Sequence, residues 1–146
     1  MTFELLKICS FFHTNYYTPV YNRVMNRHEY RVQIIFALYQ SLLLNKDLRL
    51  SFDDNFTGDD NEFLCKLKED LILNYRNYIE DISPLLTKWT FDRLSYIEQA
   101  ILLESASEIK LGLNNKNIVI NEAIKITKEY CDEDSYKYIN GVLDRL

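Results

Sequence analysis

Only three glycines and two prolines are spread over 146 residues, and that scarcity narrows the possible folds more than any other feature. A many-stranded sheet needs frequent turns, which lean on glycine for positive φ and on proline for a preset φ. A chain so short of both favours long helices, so an all-α class is expected. With 47% hydrophobic residues, eleven tyrosines, eight phenylalanines and one tryptophan, it can bury a sizeable core. Its length suits one domain with one core, or two small subdomains sharing one.

Periodicity supports this class. Between Trp89 and Leu146 three helices are expected. The first carries Leu94, Ile97, Ile101, Ser105 and Ile109 about one turn apart, leaving Glu98, Gln99 and Glu104 outside the stripe, and Ser95 with Glu98 forms a capping-box pattern. The second turns Val119, Ile120, Ala123, Ile124, Ile126 and Thr127 inward and Glu122, Lys125, Lys128 and Glu129 to water. The third buries Ile139, Val142, Leu143 and Leu146, with Asp132, Asp134 or Ser135 at its cap. Gly141 sits inside that third helix, flanked by Lys137 and Arg145. A helical glycine costs roughly 1 kcal/mol against alanine, so either another helix crosses close by or a smooth basic groove opens there.

Upstream, residues 1–22 form an arm: a short amphipathic piece with Phe3, Leu6, Ile8, Phe11 and Phe12, then an extended stretch around Pro19 that folds back onto the domain. Arg23, Arg27 and Arg31 stand four residues apart, and they make one basic stripe if a helix already runs from Asn22, with His28 as a fourth donor. Val32, Ile35, Phe36, Tyr39, Leu42 and Leu43 bury the other face of that helix. The stripe is either a solvated face or a phosphate contact. Asn45 to Asn61 is polar and acidic and reads as a loop; its Asp53, Asn55, Thr57, Gly58 run starts a calcium-loop pattern, but Leu64 replaces the closing carboxylate, so no metal is expected. A helix from about Asp60 to Asp81 follows, then Ser83-Pro84 as a stop or restart. Leu85, Leu86, Trp89 and Phe91 form an aromatic-aliphatic joint, with Trp89 taken as core.

A formal charge of -5 argues against gripping nucleic acid over the whole surface, so any such site is local. Cys9, Cys65 and Cys131 are far apart and odd in number, which fits reduced thiols and a cytoplasmic location. No signal peptide or membrane span is expected. Two histidines, no glycine-rich phosphate loop and no paired Cys/His spacing leave an enzyme unsupported.

Five blocks carry a resemblance: Trp89-Thr90-Phe91-Asp92-Arg93-Leu94, Glu98-Gln99-Ala100-Ile101-Leu102, Ile120-Asn121-Glu122-Ala123, Glu133-Asp134-Ser135-Tyr136-Lys137-Tyr138 and Asn140-Gly141-Val142-Leu143-Asp144. In order and spacing they closely resemble the C-terminal half of the NusB family of bacterial transcription antitermination factors. Arg27 to Leu42, with Ala37-Leu38-Tyr39-Gln40 at its centre, looks like the family's first helix. The resemblance implies about seven helices in two packed bundles, residues 23–82 and 83–146. It implies pairing with NusE, a small-subunit ribosomal protein, recognition of boxA RNA in ribosomal RNA transcripts, and entry into an RNA polymerase complex that resists termination. No cofactor is implied. Arg23, Arg27, His28 and Arg31 would contact RNA together with Asp134, Lys137 and Tyr138, while Tyr39 and Glu98 would face NusE. The family's arginine segment is usually denser, and here Glu29 interrupts it, so weak or partner-dependent RNA binding is expected. Two other readings stay open: a protein-interaction scaffold whose RNA face has eroded, and a homodimer whose arm covers the basic helix start.

Overall fold

The computed structural model describes residues 25–56 and 59–146. The expectations for the arm, Arg23, Thr57 and Gly58 fall outside these. Among the described residues there are six α-helices and no strand: α1 Arg27–Leu44, α2 Leu48–Asn55, α3 Glu62–Ile82, α4 Tyr96–Leu111, α5 Lys116–Tyr130 and α6 Ser135–Arg145. Two 3-10 turns, Ser83–Leu85 and Phe91–Arg93, join α3 to α4. The first of them begins at Ser83 and carries Pro84 in its first turn, where its missing N–H would have had no partner.

Capping decides where α1 starts. The Asn26 side chain accepts from Glu29 N, and the Glu29 carboxylate accepts from Asn26 N, a closed capping box. The helix therefore begins at Arg27 and not at Asn22, and Glu29, which seemed to interrupt an arginine stripe, is the acid that completes the cap. Asn45, at φ 48, ends the helix. The stretch expected to be a loop holds α2, started by Asp47, whose side chain accepts from Arg49 N and Leu50 N. Its polar sequence hides two tertiary anchors: fully buried Phe52, and Ser51, whose hydroxyl donates to the Ala37 carbonyl at 2.6 Å.

α4 is the central element, packed by α1, α3, α5 and α6. Its predicted Ser95–Glu98 capping box forms, and Gly112 closes its end in the left-handed region at φ 64. Surrounded on all sides, it buries every residue from Gln99 to Glu108, so Gln99 and Glu104 lie inside and not on a wet face. Gln99 is satisfied by donating to the Leu94 carbonyl at 2.9 Å. The core runs as one cluster through Phe36, Leu64, Ile101 and Ile139, joining both halves of the chain. Each such fully buried side chain contributes about 1.5–3 kcal/mol by leaving water.

Two expectations change. Trp89 is 60% exposed, because the 3-10 joint buries Phe91 and turns the indole outward. At Gly141 an added Cβ would meet nothing within 4 Å beyond its own helix among the described residues, so no described helix crosses there. Gly141→Ala is expected to raise stability by about 0.5–1 kcal/mol in urea denaturation, since alanine loses less backbone entropy in a helix. Gly112→Ala has open space too, but its positive φ should make it destabilising by about 1 kcal/mol.

Candidate nucleic-acid interface

The start of α1 is fastened to the far end of α4 by a buried ion pair. Arg31 donates from Nε to Glu108 Oε2 at 2.9 Å and from Nη2 to Glu108 Oε1 at 2.6 Å, with side-chain exposures of 5% and 0%. Its guanidinium also lies 5.4 Å from the Phe63 ring centroid and 3.8 Å from Glu122 Oε2. Burial alone would push Glu108 up, but hydrogen bonds from Arg31 and Asn114 hold it below the usual carboxylate range. Arg31 is thus committed to the interior, although four-residue spacing placed it on the helix face of Arg27.

Arg27 is exposed, and its Nη1 donates to Asn114 Oδ1 at 2.8 Å while the guanidinium lies 5.0 Å from the Phe63 centroid. It rims an open groove of about 460 Å³ with Tyr30, Phe63, Lys66, Gly112 and Leu113. His28 Nδ1 lies 2.9 Å from Glu122 Oε2, and Lys125 donates to the same carboxylate at 3.1 Å. Burial favours the neutral form of Glu122, yet these two contacts and Arg31 hold its pKa down. Glu122, expected on the wet side, is the acid that joins α5 to α1.

From Lys125 the cations continue across α5. Lys128, one turn on, sits 4.6 Å from the Tyr136 ring centroid on α6, and Lys137 beside that ring pairs with Asp134 at 3.1 Å. Basic side chains from three helices are thus linked in pairs: His28 of α1 and Lys125 of α5 share the Glu122 carboxylate, and Lys128 of α5 and Lys137 of α6 both lie near Tyr136, with Arg27 next to His28 in sequence. The two lysines of α5 were legible as surface residues but not as the bridge. Only the side-chain contacts of α5 with α1 and α6 reveal that role.

The remaining candidates are half-buried. The Tyr138 hydroxyl is enclosed without a hydrogen bond, and burial plus the nearby Glu98 charge pushes it far above the ordinary phenol range. Glu98 accepts from Ser95 N at 3.0 Å and from Ser135 Oγ at 2.7 Å, so it ties the start of α4 to α6. Tyr39 packs against the core from α1. Among the described residues no three His, Cys, Asp or Glu side chains gather as a metal site requires. Nor is any described helix long and apolar enough to cross a membrane.

Fold and site together define a small all-helical protein with a local basic strip on an acidic body. A NusB family model matches residues 25–146, and the chain belongs to the NusB family. It is 35% identical over 127 residues to the transcription antitermination protein NusB of Staphylococcus aureus (strain JH9), a match covering 84% of this chain and 98% of that one. T. maritima NusB superposes with a TM-score of 0.75 at 28% identity, covering 84% of this chain and 91% of its own. A chain from the crystal structure of antitermination factors NusB and NusE in complex with dsRNA has a TM-score of 0.63 at 24% identity, covering 83% and 96%, a likeness of fold.

Next to the ion pair, Glu104 is fully enclosed, and its Oε1 has no partner. Burial and the neighbouring Glu108 charge push its pKa well above the usual range. A raised acid contributes stability that is complete below its unfolded pKa and declines as pH rises above it. Glu108, shifted down, contributes in the opposite sense: its share is present above its unfolded pKa and lost as pH falls through its folded value. Glu104→Gln should therefore gain on the wild type as pH is raised from about 4 to about 7. Thermal midpoints of both proteins across that range check it, and a constant difference would contradict it.

Proposed function

We propose that this chain is a non-enzymatic transcription antitermination factor that pairs with NusE in the cytoplasm and reads boxA RNA of ribosomal RNA transcripts, helping RNA polymerase resist termination. The observation that carries this reading is the set of linked basic side chains from three helices, His28 and Lys125 on Glu122 and Lys128 and Lys137 about Tyr136, which we read together with Arg27 as one basic strip. Clustered cations supply affinity for phosphates even on an acidic protein, because the attraction is local and screened within about 10 Å at moderate salt.

In this reading Arg27, His28 and Lys137 meet RNA, with Lys125 and Lys128 added to the set. Asp134 sets the position of Lys137, and Tyr138 supports α6 from its half-buried place. Arg31 acts from within, holding the start of α1. Tyr39 and Glu98 remain the candidate NusE contacts, Glu98 by presenting the start of α4. The named antitermination relatives and the solved NusB–NusE–RNA assembly support this partnership. A second reading, a scaffold with an eroded RNA face, draws on the withdrawal of Arg31 into the core and on the net charge of -5.

Fluorescence titration of boxA and scrambled single-stranded RNA, with and without NusE, separates the two. Selective, NusE-enhanced binding is expected, with a log–log salt slope of about -3 from four phosphate-contacting cations. Lys128→Ala should make that slope shallower by about 0.7. Equal binding of both RNAs with NusE pairing intact would favour the scaffold.

A further inference from the structure

Between Gly112 and the first residue of α5 the chain makes a short corner held at both ends. Gly112 N donates to the Ile109 carbonyl and Leu113 N to the Glu108 carbonyl, which ends α4. Asn115 caps α5 by accepting from Asn117 N at 2.9 Å. Asn114 is caught between these caps. Its Nδ2 donates to Glu108 Oε1 at 2.6 Å, and its Oδ1 accepts from Arg27 Nη1 at 2.8 Å.

The amide can sit only one way round. Glu108 is an ionised carboxylate and only accepts, whereas a guanidinium only donates. Flipping the amide would set its oxygen against the carboxylate and its NH2 against Arg27, losing both bonds. The anchor is itself immobile, because Glu108 has no exposed side-chain surface and is gripped twice by Arg31. A rigid interior group therefore reaches a surface arginine through one side chain that donates at one end and accepts at the other.

We propose that Asn114 is a positioning residue for RNA binding: it relays the fixed location of the buried Arg31–Glu108 pair to Arg27 and holds that guanidinium ready for a phosphate. The proposal rests on the RNA-binding reading above and adds to it a residue in the α4–α5 corner. An unheld arginine side chain carries about 2 kcal/mol of rotamer entropy, part of which must be lost when it grips a phosphate. Asn114 removes some of that freedom beforehand, with the Phe63 ring as the second support. A carboxamide suits the place because an aspartate there would repel Glu108, and an alanine would leave both neighbours without their contact.

The test is a double-mutant cycle on the NusE-bound protein, read by fluorescence anisotropy of labelled boxA RNA. Wild type, Asn114→Ala, Arg27→Ala and the double variant are compared, with thermal midpoints alongside. Asn114→Ala should weaken binding about threefold to tenfold, the range one net hydrogen bond spans. In the Arg27→Ala background the same change should add nothing, because there is no guanidinium left to hold. Asn114→Ser, too short to span both partners, should behave like alanine and serves if the alanine variant folds poorly. An equal loss with and without Arg27 would overturn the proposal, as would wild-type affinity in folded Asn114 variants. If wild type itself fails to prefer boxA over scrambled RNA, the RNA-binding reading is what has failed, and the relay falls with it.

Discussion

The α1 end of the proposed RNA face depends on the ion pair between Arg31 and Glu108. Two charges have been taken out of water to form it, which costs several kcal/mol per ion before their attraction offsets the loss. Such pairs are poor evidence of net stability. What this one supplies is location: two directional bonds fix the first turns of α1 against the last turn of α4. Asn114 and, through it, Arg27 hang from that joint by bonds below 3 Å, while Glu122 faces Arg31 at 3.8 Å and holds His28 at 2.9 Å. The enclosed Glu104 fits the same picture, since burial and the adjacent Glu108 charge raise its pKa and two neighbouring carboxylates facing one guanidinium cannot both ionise cheaply.

An acidic chain proposed to bind RNA must concentrate its cations, and this fold does so by packing. α5 meets α1 through Glu122 and packs on α6, so its lysines at 125 and 128 stand beside basic residues that the sequence keeps far apart. Lys125 and Lys137 are each balanced by an acid within about one turn. Their field is therefore weak at long range. Contacts of this kind suit binding that a protein partner completes, in keeping with the proposed pairing with NusE.

Much of the fold was legible in the sequence because the signals were local. The Ser95–Glu98 cap, the Gly112 stop, the Pro84 restart and the stripes of α5 and α6 all form as the residues dictate. Signals that depend on distant neighbours were not legible. α2 was hidden because Phe52 and Ser51 acquire their meaning only against α1. Four-residue spacing correctly grouped Arg27 with Arg31, but spacing says nothing about which part of a face is covered. Glu104, Gln99 and Glu122 misled for the same reason: a charged or polar residue on a periodic stripe is assigned to water until a fourth or fifth helix closes over it. Gly141 shows the converse, a glycine that seemed to call for a close neighbour and has none among the described residues.

The most direct measurement replaces the ion pair with apolar side chains of similar size, Arg31→Met/Glu108→Leu, and follows both stability and boxA affinity alongside each single change. Each single variant should lose about 3–5 kcal/mol, because it leaves one charge buried alone, and the double should recover most of that. RNA affinity should nevertheless stay below wild type in the double variant, since Asn114 and Arg27 have lost their anchor. A stable double variant that binds boxA as tightly as wild type would show that the pair does not set the RNA face.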